Sequence, residues 1–153
     1  MDKPKFVYVI YIATTREKLW EALTSPDWTR QYWANCWQDS SWEQGASWKL
    51  MAGNGRLGDD GEILEIDPPS RLVVSWRNHL REDLNAIGFT RMSYDLEETP
   101  LGVKVTVTHE TPAGGEAFLD AVSQGWPAIF SSLKSLLETG KILPTTDKWP
   151  EGC

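Results

Sequence analysis

The sequence predicts an α+β fold in which a curved antiparallel sheet packs against one long C-terminal helix. Three observations support it. Residues 116–138 repeat apolar side chains at three- and four-residue steps, the signature of a helix with a wide apolar face. From residue 36 to 110 the chain reads as successive antiparallel strands joined by tight turns. A strand and two helix starts precede that region, which sets the first strand apart from the rest.

In chain order, residues 5–12, KFVYVIYI, are rich in β-branched and aromatic types and too short for a helix, so they read as a strand. Thr14 and Glu17 are spaced as a capping box ahead of a helix bearing Leu19, Trp20 and Leu23 on one side. Ser25 as N-cap, Pro26 at the first helical position and Asp27 in the first turn start a second, short helix through Trp33. Residues 37–41 and 46–51 flank a turn at 43–45. Asp59, Asp60 and Gly61 read as a turn before a strand over 62–66, which Asp67, Pro68, Pro69 and Ser70 must end.

Residues 72–79 put Leu72, Val74 and Trp76 on one face and Val73, Ser75 and Arg77 on the other. A polar connection over 80–86 leads to a strand at 89–96 with Met92, Tyr94 and Leu96 together. Residues 103–109 alternate cleanly, so if Val103, Val105 and Val107 face the helix, His109 points the same way. In the long helix, Phe118, Val122, Gly125, Ile129, Leu133 and Leu136 form the apolar stripe, Pro127 predicts a bend at 125–127, and Gly140 supplies the stop. The tail, 141–153, is predicted to be irregular, with Trp149 able to fold back onto the body.

At 153 residues the chain fits one domain over 1–153, with its core between about 5 and 140. Cys36 and Cys153 lie far apart and form neither a disulfide framework nor a metal motif, so a reducing cytoplasm is the expected setting. There is no charged-then-apolar leader and no long apolar run, which predicts neither secretion nor a membrane span. A net charge of −7 with scattered basic residues argues against nucleic acid. Nine tryptophans without a fixed period are unusual. Core filling is the ordinary reading, and several of them walling a cavity is the sharper one.

GNGRLG at 53–58 matches GxGxxG, but turn and strand residues follow instead of the helix a dinucleotide needs, so it reads as a hairpin. GxxxxGK[ST], HExxH, GxSxG and CxxC are all missing, and the sequence predicts no metal and no cofactor. His79 reads as a solvated strand-end residue. His109, if inward, is either a satisfied structural histidine or a ligand-contacting group that titrates near neutrality. Glu62 and Glu65 alternate, so one of them is expected to point inward and to seek a partner such as Tyr94, Arg91, Arg77 or His109.

Four segments carry a family resemblance: VYVIYIATTREKLWEALTSPDWTRQYW at 7–33, GEILEIDPPSRLVVSW at 61–76, VTVTHE at 105–110 and GWPAIFSSLKSLLETG at 125–140. Together they resemble the SRPBCC superfamily, also called START-like or birch-pollen-allergen-like, and within it the group named for homology to heat-shock-protein ATPase activators. The resemblance implies a helix-grip fold, with the sheet wrapped round the C-terminal helix, two small helices closing one end, and an apolar cavity between sheet and helix.

By strand and helix parity, the wall of that cavity is expected to include Trp33, Trp37, Trp48, Trp76, Met92 and Tyr94. Val107 and His109 extend it from the last strand, and Phe118, Val122, Trp126 and Ile129 from the helix. The first functional reading is binding of an apolar or aromatic small molecule, as in the lipid carriers and hormone sensors the chain resembles. An enzyme similar to polyketide cyclases is the alternative, with His109 or an inward carboxylate such as Glu65 as base and Tyr94 steadying an oxyanion. Regulation of a chaperone ATPase is a third, weaker reading, because the additional N-terminal domain of the eukaryotic activators has no counterpart here and fold alone is a poor guide to function. A protein partner or a homodimer stays open.

Overall fold

The structure is a computed structural model that describes residues 4–144. Strand β1 (Lys5–Ile12) leads to helices α1 (Arg16–Thr24) and α2 (Pro26–Tyr32). Strands β2 (Trp37–Ser40), β3 (Ser47–Met51), β4 (Leu57–Asp67) and β5 (Arg71–Asn78) follow, then a short helix α3 (Glu82–Asn85). Strands β6 (Thr90–Thr99) and β7 (Gly102–Glu110) precede the long helix α4 (Glu116–Thr139). The seven strands form one antiparallel sheet in the order β1-β7-β6-β5-β4-β3-β2. This curved sheet and the long terminal helix make the helix-grip fold. Its first strand pairs with its last, a partner that the early strand–helix–helix order did not specify.

Alternation decides which side chains enter. Val103, Val105, Val107 and His109 on β7 are all buried, and so are their β6 neighbours Met92, Tyr94 and Leu96. On β5, Leu72, Val74 and Trp76 face the core. α4 runs through Pro127 as one helix and ends where Gly140 turns left-handed at φ 82°. Its C-terminal half is tied to β1: Lys134 donates to the Tyr11 carbonyl at 2.8 Å, and the Ala13 amide donates to the Glu138 carboxylate at 2.8 Å.

Several local expectations need correction. The cap of α1 is Thr15, not Thr14, because Thr15 Oγ1 is the oxygen that accepts the Lys18 amide, at 3.2 Å. Part of the connection after β5 coils into α3. Asp59, Asp60 and Gly61 are not a turn but the middle of β4, since the reversal falls earlier, at residues 52–56. There the Ala52 amide donates to the Arg56 carbonyl and Gly55 takes φ +86°. That hairpin is also what GNGRLG builds. Residues 141–144 carry neither helix nor strand, while Trp149 and Cys153 lie outside the described residues.

Candidate functional site

The middle of the interior is filled by rings. Trp76 lies against Trp33, Trp48, His109 and Trp126, with centroids 4.5–6.3 Å away, and Tyr94 and Phe130 extend the cluster along α4. The expected hollow is therefore displaced to one end. A cleft of about 470 Å³ lies between the N-terminal half of α4, the paired ends of β4 and β5, the connection that carries α3, and the turn after α2. That turn holds Ala34 and Asn35 at φ 49° and 59°, a left-handed pair that ends α2 and leaves Trp33 buried against the cleft.

The polar centre of the cleft is Asp59. It pairs across the ladder with Asn78, so both side chains stand on the inner face. Asp59 Oδ1 accepts the Trp76 indole N–H and the Asn78 amide N–H, each at 2.9 Å, and the residue lines the cleft. Asn78 is itself fixed, because its Oδ1 accepts the Leu80 and Arg81 amides. Asp59 is 5% exposed. Burial pushes its carboxyl up to about 7, against the lowering effect of its two donors and of nearby His79. It is thus poised to hold or release a proton near neutrality.

His109 is placed inward as parity predicts, yet both ring nitrogens are engaged. The Trp126 indole N–H donates to Nδ1 at 3.2 Å, which assigns the proton to Nε2. Nε2 then donates to Thr90 Oγ1 at 2.8 Å, and Thr90 donates to the Trp76 carbonyl. Burial holds this imidazole down to about 3, so it does not titrate near neutrality. It sits behind Phe118, Trp76 and Trp126 and does not line the cleft.

Of the residues expected in the wall, Trp33, Trp76, Phe118, Val122, Trp126 and Ile129 line the cleft. The others do not. Trp37 and Gln38 alternate on β2, and Gln38 is the one buried, which leaves the Trp37 ring half-buried beneath the Arg30 guanidinium. Trp48 is buried, with its indole N–H donated to Gln38 at 3.0 Å. Met92, Tyr94 and Val107 belong to the packed centre. The Tyr94 hydroxyl has no partner among the described residues, and burial raises its pKa well above the ordinary value.

Glu65 is a clear correction. Ile63 pairs with Val74 and Glu65 with Val73, so Leu64 is an extra, bulged residue. The bulge resets the alternation, and Glu62 and Glu65 are both exposed. Glu65 pairs instead with Arg71 at 3.1 Å on the outer face. Asp59, the inward carboxyl, was hidden by its turn-like neighbours. Leu80, Arg81 and Leu84 were hidden in a connection whose path only the fold defines.

Among the described residues, no group of three or more His, Cys, Asp or Glu side chains could hold a metal ion. No helix there is long and apolar enough to cross a membrane.

The family model described as Activator of Hsp90 ATPase homolog 1-like protein matches residues 13–138. No curated protein matches the chain. Among solved structures, MLL2253 from Mesorhizobium loti is similar at a TM-score of 0.75 and 23% identity, over 91% of this chain and 100% of that one. DynU16, from the dynemicin biosynthetic locus, is similar at 0.74 and 21%, over 90% of this chain and 48% of its own. The Aha1 dimer from Colwellia psychrerythraea gives 0.69 and 24%, over 90% and 98%. At these identities the likeness is one of fold.

Proposed function

The chain belongs to the Activator of Hsp90 ATPase homolog 1-like family, and on that premise we propose that it binds an apolar or aromatic small molecule, lipid- or polyketide-like, in the cleft at the end of the sheet. The observation that carries this reading is the cleft itself: about 470 Å³, walled by Trp33, Trp76, Phe118 and Trp126, with few polar groups. Small-molecule pockets are of about 300–1,000 Å³, mostly apolar, with a few polar groups that orient the guest. DynU16 adds support, since it is a protein of this fold in the dynemicin biosynthetic locus.

Tryptophan fluorescence tests the reading, because three indoles stand in the wall. Titration with polycyclic aromatic and fatty-acid probes is expected to give a saturable change. Val122→Trp, which fills the cleft from α4, is expected to abolish it while the far-ultraviolet spectrum is retained. Linear, unsaturable responses to every probe, identical in the variant, would remove the proposal.

One observation favours a second reading, an enzyme of polyketide cyclase type. Asp59 faces the cleft with its carboxyl near 7, which suits a group that removes a proton from a bound guest and returns it. In that reading Asp59, rather than His109, Tyr94 or Glu65, is the acid–base residue. Turnover of a cyclisable substrate that survives in Asp59→Asn would exclude it.

A further inference from the structure

We propose that the guest of this cleft carries a protonated amine, held by Asp59 as its counter-ion; the inference rests on the small-molecule reading above. Asp59 is the buried carboxylate among the described residues. Its two hydrogen-bond donors, the Trp76 indole and the Asn78 amide, are neutral and share one oxygen. The second oxygen has no hydrogen-bond donor among the described residues.

Of the charged groups around it, His79 lowers the carboxyl's pKa and Asp60 raises it, and each neighbouring cationic side chain is engaged by another partner. On the β5 side, His79 is bound to Asp60 at 2.6 Å, and Arg77 turns to the Asn85 carbonyl and side chain. Arg81, at the cleft wall, is held by both oxygens of Asp83. The β3 residue opposite Asp59 is Leu50. Across the cleft, α4 contributes Asp120 and Gln124, which add an acid and a neutral amide. The whole chain carries −7.

A neutral guest leaves an ionised Asp59 uncompensated, so the carboxyl keeps its proton. An ammonium group supplies the missing charge, donates to Oδ2 in a charge-assisted bond, and is itself favoured beside indole faces. Binding of such a guest therefore displaces the Asp59 proton to solvent, and affinity rises as pH passes upward through about 7.

The test uses two probes with one ring system, 1-naphthylmethylamine and 1-naphthylmethanol, titrated calorimetrically into the full chain. The amine is expected to bind about ten-fold tighter or more near pH 8, with the margin shrinking near pH 6. Near pH 7 the amine is expected to release a fraction of a proton, read from the dependence of the heat on buffer ionisation enthalpy, and the alcohol none. In Asp59→Asn the amine-to-alcohol ratio is expected to fall to about one. Should that variant not fold, the proton release of the native chain decides alone. Alcohol binding as tight as amine binding near pH 8, or no proton release, overturns the inference and leaves the small-molecule reading standing. Binding of neither probe, nor of any probe in the fluorescence titration, overturns both.

Discussion

Trp126 donates its indole N–H to Nδ1 of His109 across 3.2 Å, linking α4 to β7 through a neutral imidazole. The imidazole in turn donates to Thr90, so replacing it strands two buried partners. His109→Gln is expected to lose about 2–4 kcal/mol near pH 7. The pH dependence is the sharper readout. The ordinary value of 6.5 applies to the unfolded chain, while burial lowers the folded one to about 3. The unfolded state then binds more protons in between. His109 thus contributes stability that is full above about pH 6.5 and is lost as pH falls toward 3, at up to about 1.4 kcal/mol per unit. Urea unfolding between those limits checks it: a variant with the native slope would show that His109 is not the group responsible.

Asp59 runs the other way. Its folded carboxyl is raised from 3.8 to about 7, so its contribution is full below about pH 3.8 and is lost as pH rises through 7. Between about pH 4 and 6.5 the slopes of Asp59 and His109 oppose each other and nearly cancel. Asp59→Asn is therefore expected to uncover a stability that rises with pH in this window. Near pH 8 it is expected to be more stable than the native chain by about 2–4 kcal/mol, because no charge is then buried. A less stable variant near pH 8 would contradict the burial account of Asp59.

The features legible in the sequence are those with an unbroken period. Val103, Val105, Val107 and His109 share a face because nothing interrupts β7, and the pattern on α4 places Phe118, Val122, Trp126 and Ile129 against the cleft. Parity failed where one residue was added. Leu64 bulges out of the β4–β5 ladder, and only the pairing of Glu65 with Val73 reveals it. Asp59 was illegible for a different reason. The run Asp59-Asp60-Gly61 has the composition of a turn, yet Gly61 is there because β4 crosses close to Ser75. The displacement of the cleft was likewise hidden, since it depends on how many indoles the centre absorbs around Trp76.

Glu65→Ala is expected to change little. Its partner Arg71 also pairs with Asp95, and both Glu65 and Arg71 are substantially exposed. Solvent screening leaves such a pair within about 1 kcal/mol of neutral. Probe binding in the cleft is expected to be unaltered, since the carboxylate lies on the opposite face of the sheet. A loss of binding in this variant would mean that the cleft communicates with the outer face through β4.

Gly61→Ala is expected to disturb the cleft from behind. A Cβ at this position would lie 1.7 Å from the Ser75 carbonyl oxygen and 2.8 Å from its Oγ. The first obstacle is backbone, so no rotamer change relieves it, and β4 must part from β5 there. The gap would open beside Trp76, which holds Asp59, and at the bond from the Glu62 amide to Ser75 Oγ. Destabilisation of about 2–4 kcal/mol is expected in urea unfolding, with a measurable shift in the Asp59 titration. Gly55→Ala separates contact from conformation: its φ is +86° and nothing lies within 4 Å of the added Cβ, so only the left-handed backbone is penalised, at about 1 kcal/mol. If the two variants lose equal stability and leave Asp59 titrating alike, the close approach of β4 to Ser75 is not what positions the carboxyl.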